Sequence, residues 1–259
     1  YVCVFYPPRY AAGASGSVVY PVASVGVVLD PLNWTQRFQR DHSGDILALA
    51  VSPDRRVVAT SQLGARPTVL VWDSETCETL ASLAGFHKRA VTQLAFDSED
   101  GALLATLGAD ADHSIAVYDW QQRELRARTL GHKNKVLGLA FGLCKDGREM
   151  TQVGFKHVTF WTLIGRHIEY RRGQIGARGE LQAFVCVAYV GAGDVPVVGT
   201  ADGHLYVFNE ERELAKSVKA HDSFVYALHA FPGGICSGGK DGMVKLWSAE
   251  LEASGAFDQ

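Results

Sequence analysis

The feature that most restricts what this chain can fold into is a repeat of about 45 residues. His42, His87 and His132 stand 45 residues apart, and His221 follows after 89, close to two further periods. Each histidine precedes an alternating apolar segment: "ILALAVSPD" after His42, "VTQLAFDSEDG" after His87, "VLGLAFGLCKDG" after His132 and "VYALHAFPGG" after His221. A fifth unit is expected to begin near residue 176, and "LQAFVCVAYVGAG" (181–193) stands there. A second apolar segment with an aromatic residue closes every unit: "VLVWD" (69–73), "IAVYDW" (115–120), "VTFW" (158–161), "LYVFN" (205–209) and "VKLW" (244–247). Two features recurring together at one period indicate a repeat architecture, in which each unit buries its apolar face by stacking on the next.

The segments are short, rich in β-branched residues and alternating, and convincing helical periodicity is absent. Turn dipeptides separate them: Pro53-Asp54, Asp100-Gly101, Asp146-Gly147, Gly233-Gly234 and Asp241-Gly242. This is the grammar of antiparallel hairpins. An all-β array with a period of 40–45 residues predicts a β-propeller of four-stranded blades.

The last unit raises a chemical question. "SGGKDGMVKLW" (237–247) holds Ser237 and Asp241, and His221 lies sixteen residues before the serine. Ser, His and Asp are the parts of a nucleophilic triad. The recurring pattern favours a structural reading. The "GH…SPDG…SG..DG.VKLW" pattern resembles the WD repeat over at least residues 41–248, with the last unit its best example. By that resemblance His221, Ser237, Asp241 and Trp247 form a hydrogen-bonded tetrad inside the blade. Indole only donates, carboxylate only accepts, and imidazole and hydroxyl do both, so a chain of the four satisfies each polar group. Other units depart from the pattern. Thr60, Thr106 and Thr151 fall near the serine position, Tyr118 and Phe208 replace tryptophan, and Lys156-His157 replaces Asp-Gly. Those blades are expected to hold mainly by packing.

Several segments resemble one WD-repeat subgroup, the echinoderm microtubule-associated protein-like (EML) family. They are "VVYPVASVGVVLDPLNWTQRFQRDHSGDILALAVSPD", "GFHKRAVTQLAF", "DHSIAVYDW", "VGFKHVTFW", "GELQAFVCVAY" and "VKAHDSFVYALHA…SGGKDGMVKLW", in the family's order. The resemblance implies a hydrophobic-motif segment at 1–40 packing on the propeller, blades at 41–248 and a tail at 249–259. The chain is then either a compact six-bladed ring or, as expected here, part of a longer propeller. The resemblance also implies a cytoskeletal protein whose partners are tubulin or microtubules, with a ciliary axoneme as one setting.

Composition narrows the classes further. The chain has 259 residues, 47% hydrophobic, with 25 Lys and Arg against 28 Asp and Glu, for a net charge of −3. That balance argues against a strongly basic surface wrapped on nucleic acid but leaves room for a local basic patch. Five widely separated cysteines (Cys3, Cys77, Cys144, Cys186, Cys236) contain no CxxC pair. They fit a reducing compartment better than a disulfide framework or a zinc site. The longest apolar run, 18–29, is too short to span a bilayer and contains Pro21. "NWT" (33–35) fits a glycosylation sequon, which without a secretion signal carries no weight. Motifs of hydrolases, phosphate-binding loops and zinc proteases are not found, so no enzyme, cofactor, metal, nucleic acid, membrane or small-molecule substrate is expected.

The candidate binding surface is "GRHIEYRRGQIGARGE" (165–180), read as a loop carrying Arg166, Arg171, Arg172 and Arg178 around Tyr170. Lys88 and Arg89, with Lys133 and Lys135, add charge on loops before two inner strands, and together these cations form an extended basic rim on one face. The arginine fork suits carboxylates, and tubulin's outer surface is acidic. Trp34 is expected to pack on the first blade, with Tyr10 a weaker contact. Two other readings compete with a microtubule scaffold: a propeller adaptor in a ubiquitin-ligase or signalling complex, and a hydrolase built on His221, Ser237 and Asp241.

Overall fold

A computed structural model describes residues 11–13, 16–144, 147–191 and 194–258. Cys3, Tyr10 and Asp146 lie outside them. The described residues form six four-stranded antiparallel sheets, each with its strands in sequence order. Sheet one holds β1 (Ala11–Ala12), β2 (Val18–Val22), β3 (Val25–Asp30) and β4 (Thr35–Gln39). Sheet two holds β5 (Ile46–Val51), β6 (Val57–Gln62), β7 (Val69–Asp73) and β8 (Thr79–Leu83). Sheet three holds β9 (Val91–Phe96), β10 (Leu103–Gly108), β11 (Ile115–Asp119) and β12 (Glu124–Thr129). Sheet four holds β13 (Val136–Cys144), β14 (Gly147–Gly154), β15 (His157–Ile164) and β16 (His167–Arg172). Sheet five holds β17 (Phe184–Val190), β18 (Val195–Thr200), β19 (His204–Phe208) and β20 (Leu214–Lys219). Sheet six holds β21 (Val225–Phe231), β22 (Gly234–Gly239), β23 (Met243–Ser248) and β24 (Ala253–Asp258). These are the blades of a propeller fold.

Three stretches differ from the sequence expectation. The N-terminal segment is itself a sheet, because Val18–Val22 and Val25–Asp30 pair around the Ala23-Ser24 turn in the same up-and-down order. The tail contributes β24, which pairs along β23 from Met243↔Asp258 to Trp247↔Ala253. An outer strand needs only edge pairing and carries no strong apolar signal. The same reason explains "GRHIEYRRGQIGARGE": residues 167–172 are the outer strand of sheet four, exposed along most of their length, and a short 3-10 turn follows at Gly176–Arg178.

The chain divides into two compact units, Tyr1–Lys133 with Gly165–His167, and Asn134–Ile164 with Ile168–Gln259. In the first unit, Val19 and Val28 of sheet one pack with Leu49, Val58, Leu70 and Trp72 of sheet two. The Trp72 ring lies against Gly26, where a Cβ would crowd it. Sheets two and three share a second core around Val71, Leu94, Leu104 and Tyr118. The middle strands β7 and β10 are buried along their whole length, because both of their faces are covered, whereas the outer strand β4 is mostly exposed and β12 mostly half-buried or exposed. In the second unit, Phe160, Phe184, Val198, Tyr206 and Phe208 form one core, and Val197, Leu205, Val225, Ile235 and Trp247 another. At about 25 cal/mol per Å² of apolar area, burial on this pattern is the main stabilising term.

Trp34 does not pack on the first blade. It is 79% exposed in the turn between β3 and β4, with a positive φ of 54°. The Asp30 carboxylate accepts from the Leu32 and Asn33 N–H groups and from the Asn33 amide, which fixes the turn and points the indole outward.

Candidate functional site

The structure brings the four residues of the last unit together. The Trp247 indole donates to Ser237 Oγ at 2.9 Å, Ser237 Oγ lies 2.8 Å from His221 Nε2, and His221 Nδ1 lies 2.9 Å from Asp241 Oδ1. The donor–acceptor chemistry sets the chain: indole N–H to hydroxyl, hydroxyl to Nε2, Nδ1–H to carboxylate. Burial raises the pKa of the Asp241 carboxyl. The Met243 N–H, His221 and the Asp222 N–H outweigh that and hold it below the usual carboxylate range. Gly239 is required beside this group, because a Cβ there would collide with the imidazole and the carboxylate. The Ser–His–Asp connectivity is that of a triad, yet Ser237 is 0% exposed and its oxygen already accepts from Trp247. A substrate carbonyl has no route to it. The arrangement fills the interior of the blade with satisfied polar groups.

The strand register shows what stands in the corresponding places elsewhere. In sheet two, His42 Nε2 and the Trp72 indole converge on Thr60 Oγ1 at 2.7 and 3.0 Å. Gln62 Oε1 accepts from His42 Nδ1 at 2.9 Å, so an amide replaces the missing aspartate. In sheet three, His87 Nε2 meets Thr106 Oγ1 at 2.8 Å, and Ser114 Oγ bridges His87 Nδ1 to Asp110 at 3.2 and 2.5 Å. These two sheets therefore keep a polar relay where mainly packing was expected. Burial lowers the pKa of both imidazoles, that of His42 against the opposing pull of Gln62 and Asp41, and that of His87 to about 4.

Sheets four and five differ more. Trp247 pairs with Ile235, two residues before Ser237, and Trp161 pairs with Met150. The residue matching Ser237 in sheet four is therefore Gln152. Thr151 faces the opposite way and lies 2.5 Å from Tyr189 Oη. His132 is only half-buried, and its carbonyl accepts from His113 Nδ1. The buried imidazole of sheet four is His157, 5% exposed, which packs against Gly154 as His221 packs against Gly239. Sheet five has no histidine in this place: Val198 and Phe208, both fully buried, occupy the serine and tryptophan positions. Its turn aspartate, Asp202, accepts from Thr200 Oγ1 at 2.5 Å. Burial raises its pKa, but the Thr200 hydroxyl, Gln182 and His204 prevail and bring it to about 2.

The second unit also holds a buried ion pair that the sequence did not disclose. Arg212 meets Glu149 through two nitrogens at 2.8 and 2.9 Å, and the side chains are 5% and 3% exposed. Tyr189 Oη donates to Glu149 Oε1 at 3.0 Å, and the Arg212 guanidinium lies 5.1 Å over the Phe160 ring. Burial raises the pKa of the Glu149 carboxyl, opposed by Arg212, Tyr189 and Arg171. Glu149 and Arg212 are 63 residues apart, so only folding pairs them.

The eight candidate cations are divided between the two units. Lys88, Arg89, Lys133 and Arg166 belong to the first unit; Lys135, Arg171, Arg172 and Arg178 belong to the second. Within the first unit Arg166 pairs with Glu124 at the start of β12, the end of sheet three opposite to Lys88 and Arg89. Within the second, Arg178 donates to the carbonyls of Leu214 and Ala215 at 3.4 and 3.1 Å. Tyr170 rests on Trp161 with ring centroids 5.5 Å apart. Among the described residues no group of three or more His, Cys, Asp or Glu is placed to hold a metal, and no helix is long and apolar enough to cross a membrane.

Six up-and-down sheets of four antiparallel strands, two of them with a His–Ser/Thr–Trp relay, define a β-propeller. The crystal structure of the computationally designed Ika8 protein shares this fold, with a TM-score of 0.67 and 25% identity over 93% of this chain and 70% of that one. The chain belongs to the echinoderm microtubule-associated protein family: the model "Echinoderm microtubule-associated protein first beta-propeller" matches residues 35–258. Echinoderm microtubule-associated protein-like 2 of Rattus norvegicus is 33% identical over 250 residues, 91% of this chain and 38% of the relative. The 77 kDa echinoderm microtubule-associated protein of Strongylocentrotus purpuratus is 28% identical over 252 residues, 93% and 36% respectively. The chain thus spans a little over a third of the length of these relatives.

Proposed function

We propose that this chain is a non-enzymatic propeller module of a microtubule-associated protein, acting in the cytoplasmic cytoskeleton by docking tubulin or another cytoskeletal protein. The observation that carries the reading is the family match over residues 35–258, together with relatives that are microtubule-associated by name. The buried Ser237 supports the non-enzymatic part, since its hydroxyl is committed to Trp247 and His221. The exposed cations on the loops and the outer strand of sheet four supply the means of contact with an acidic partner, and Arg172, Lys88, Arg89, Lys133 and Lys135 are the residues assigned to it.

Co-sedimentation with stabilised microtubules across a salt series tests this. Pelleting that falls as salt rises is the expected result, because contacts between exposed charges are screened beyond about 10 Å at 0.1 M. Failure to pellet at low salt, with ligase or signalling subunits captured instead, would move the assignment to the adaptor reading. An axonemal location is a special case, decided by whether the tagged chain enters cilia.

A further inference from the structure

The Phe155-Lys156-His157 turn stands out in the sequence, and its structure divides the three residues between two tasks. His157 turns inward and is buried; Phe155 is 42% exposed and Lys156 is exposed. The turn is clamped from both sides. Phe155 N–H donates to the Lys135 carbonyl at 3.0 Å, Asn134 Nδ2 donates to the Phe155 carbonyl at 3.1 Å, and Lys156 N–H donates to the Gln182 carbonyl at 2.9 Å. Lys156 takes the left-handed conformation, φ 57°, which a residue with a Cβ adopts only when its surroundings hold it there. The β14–β15 turn lies at the end of sheet four where β13 begins, since Val136 pairs with Gly154. That is also the end where β16 finishes, since Gly173 N–H donates to the Val158 carbonyl. Lys135, Lys156 and Arg172 thus lie at the same end of sheet four as an exposed phenylalanine, spread from its inner to its outer edge and all in one compact unit. None of the three meets a carboxylate among the described residues. The nearby Asp202 carboxylate is taken up by Thr200 and His204.

We infer that this end of sheet four is the docking point for an acidic polypeptide segment of the filament, which sets its carboxylates against Lys135, Lys156 and Arg172 and an apolar side chain against Phe155. The inference rests on the microtubule reading above and narrows it to one surface. An exposed aromatic on a clamped turn, with cations along the same end of the sheet, suits such a segment for two reasons. The cations raise the encounter rate and select for negative charge, while the aromatic is already ordered and loses little freedom on binding. Three of the eight original cations fit this picture poorly: Arg166 is paired with Glu124, Arg171 lies in the field of buried Glu149, and Arg178 is tied to backbone carbonyls. Lys156 joins Lys135 and Arg172 only through the fold.

The test compares Lys135→Ala/Lys156→Ala/Arg172→Ala with Arg166→Ala in microtubule co-sedimentation, with melting temperatures measured alongside. The triple variant is expected to bind about tenfold more weakly at low salt and to lose most of its salt dependence, and Arg166→Ala to stay within about twofold. Phe155→Ala is expected to weaken binding at every salt without changing the slope. A triple variant that melts like the wild type and pellets equally well would overturn the inference while leaving the microtubule reading intact. If the wild type itself does not pellet, that reading falls, and a fluorescent glutamate-rich peptide containing one phenylalanine decides the inference separately. Binding lost in the triple variant upholds an acidic-segment site; no binding by the wild type, or equal binding by both, overturns it.

Discussion

Sheets five and six have the same strand order and nearly the same register, yet their interiors are chemically opposite. Sheet six is held from within by indole, hydroxyl, imidazole and carboxylate in one hydrogen-bonded line. Sheet five places Val198 and Phe208 in the corresponding positions and joins a cluster with Phe160, Phe184 and Tyr206. The blade therefore requires an interior that is filled and satisfied, and either chemistry meets that requirement. A line of four polar groups is stable only when complete, since each member left alone in the interior costs its desolvation. An apolar interior has no such condition, but it depends on volume.

The comparison breaks most visibly at the Glu149–Arg212 pair, a buried ion pair beside the apolar interior of sheet five. Arg212→Met leaves Glu149, 2% exposed, without its counter-ion. A loss of about 3–5 kcal/mol is expected, with much of it recovered in Glu149→Leu/Arg212→Met, because a buried charge costs more unpaired than a pair costs replaced. Urea unfolding midpoints measure both. A single variant as stable as the wild type would show that the pair is open to water.

Acid separates the sheets next. The imidazole of His87 has a pKa of about 4 in the fold against 6.5 when unfolded, so between these values the unfolded chain binds the extra proton and stability rises with pH. Acidifying from pH 6.5 towards 4 should cost the first unit on the order of 3 kcal/mol, and His87→Gln should flatten that slope. The Asp241 carboxyl shifts in the same direction but in a more acid window: its pKa is lowered from 3.8, so its contribution is present above 3.8 and is lost as pH falls through the folded value. Hydrogen exchange followed by pH should show sheet three loosening before Asp241 protonates in sheet six.

A reciprocal exchange sharpens the point. Ser237→Ala strands the Trp247 indole and His221 Nε2 and should cost about 1–3 kcal/mol, while Val198→Ser buries a hydroxyl without a partner and should cost about as much. If either exchange is neutral, the two interiors are less distinct than their hydrogen bonds imply. The smallest effect belongs to Trp247→Phe, about 1 kcal/mol, because His221 and Ser237 keep their bond when the indole donor goes.

Part of this was legible beforehand. The 45-residue spacing and the closing aromatics can be read directly, because those residues recur at fixed distances along the chain, and the resemblance to the WD repeat implies the tetrad of the last unit. Sheet four shows where such reading fails. His132 stands at the repeat distance, but His157 supplies the buried imidazole, and the serine position belongs to Gln152 rather than Thr151. A side chain that reaches the same place in space from another place in sequence leaves no periodic trace. Trp34 misled for a different reason: its size suggested burial, while the Asp30-centred turn faces it to solvent. Outer strands β16 and β24 were missed because an edge strand needs neither apolar alternation nor a relay residue.

The sequence by itself determined the all-β class and the repeat length, since alternation and turn dipeptides are local properties, and its resemblance to the WD repeat implied the hydrogen-bonding line of the sixth sheet. Only the tertiary structure decided which imidazole fills which sheet, that Glu149 and Arg212 meet, and that Lys156 joins Lys135 and Arg172 while Arg166 is drawn to Glu124. Those are distances between residues far apart in the chain, and strand pairing sets them.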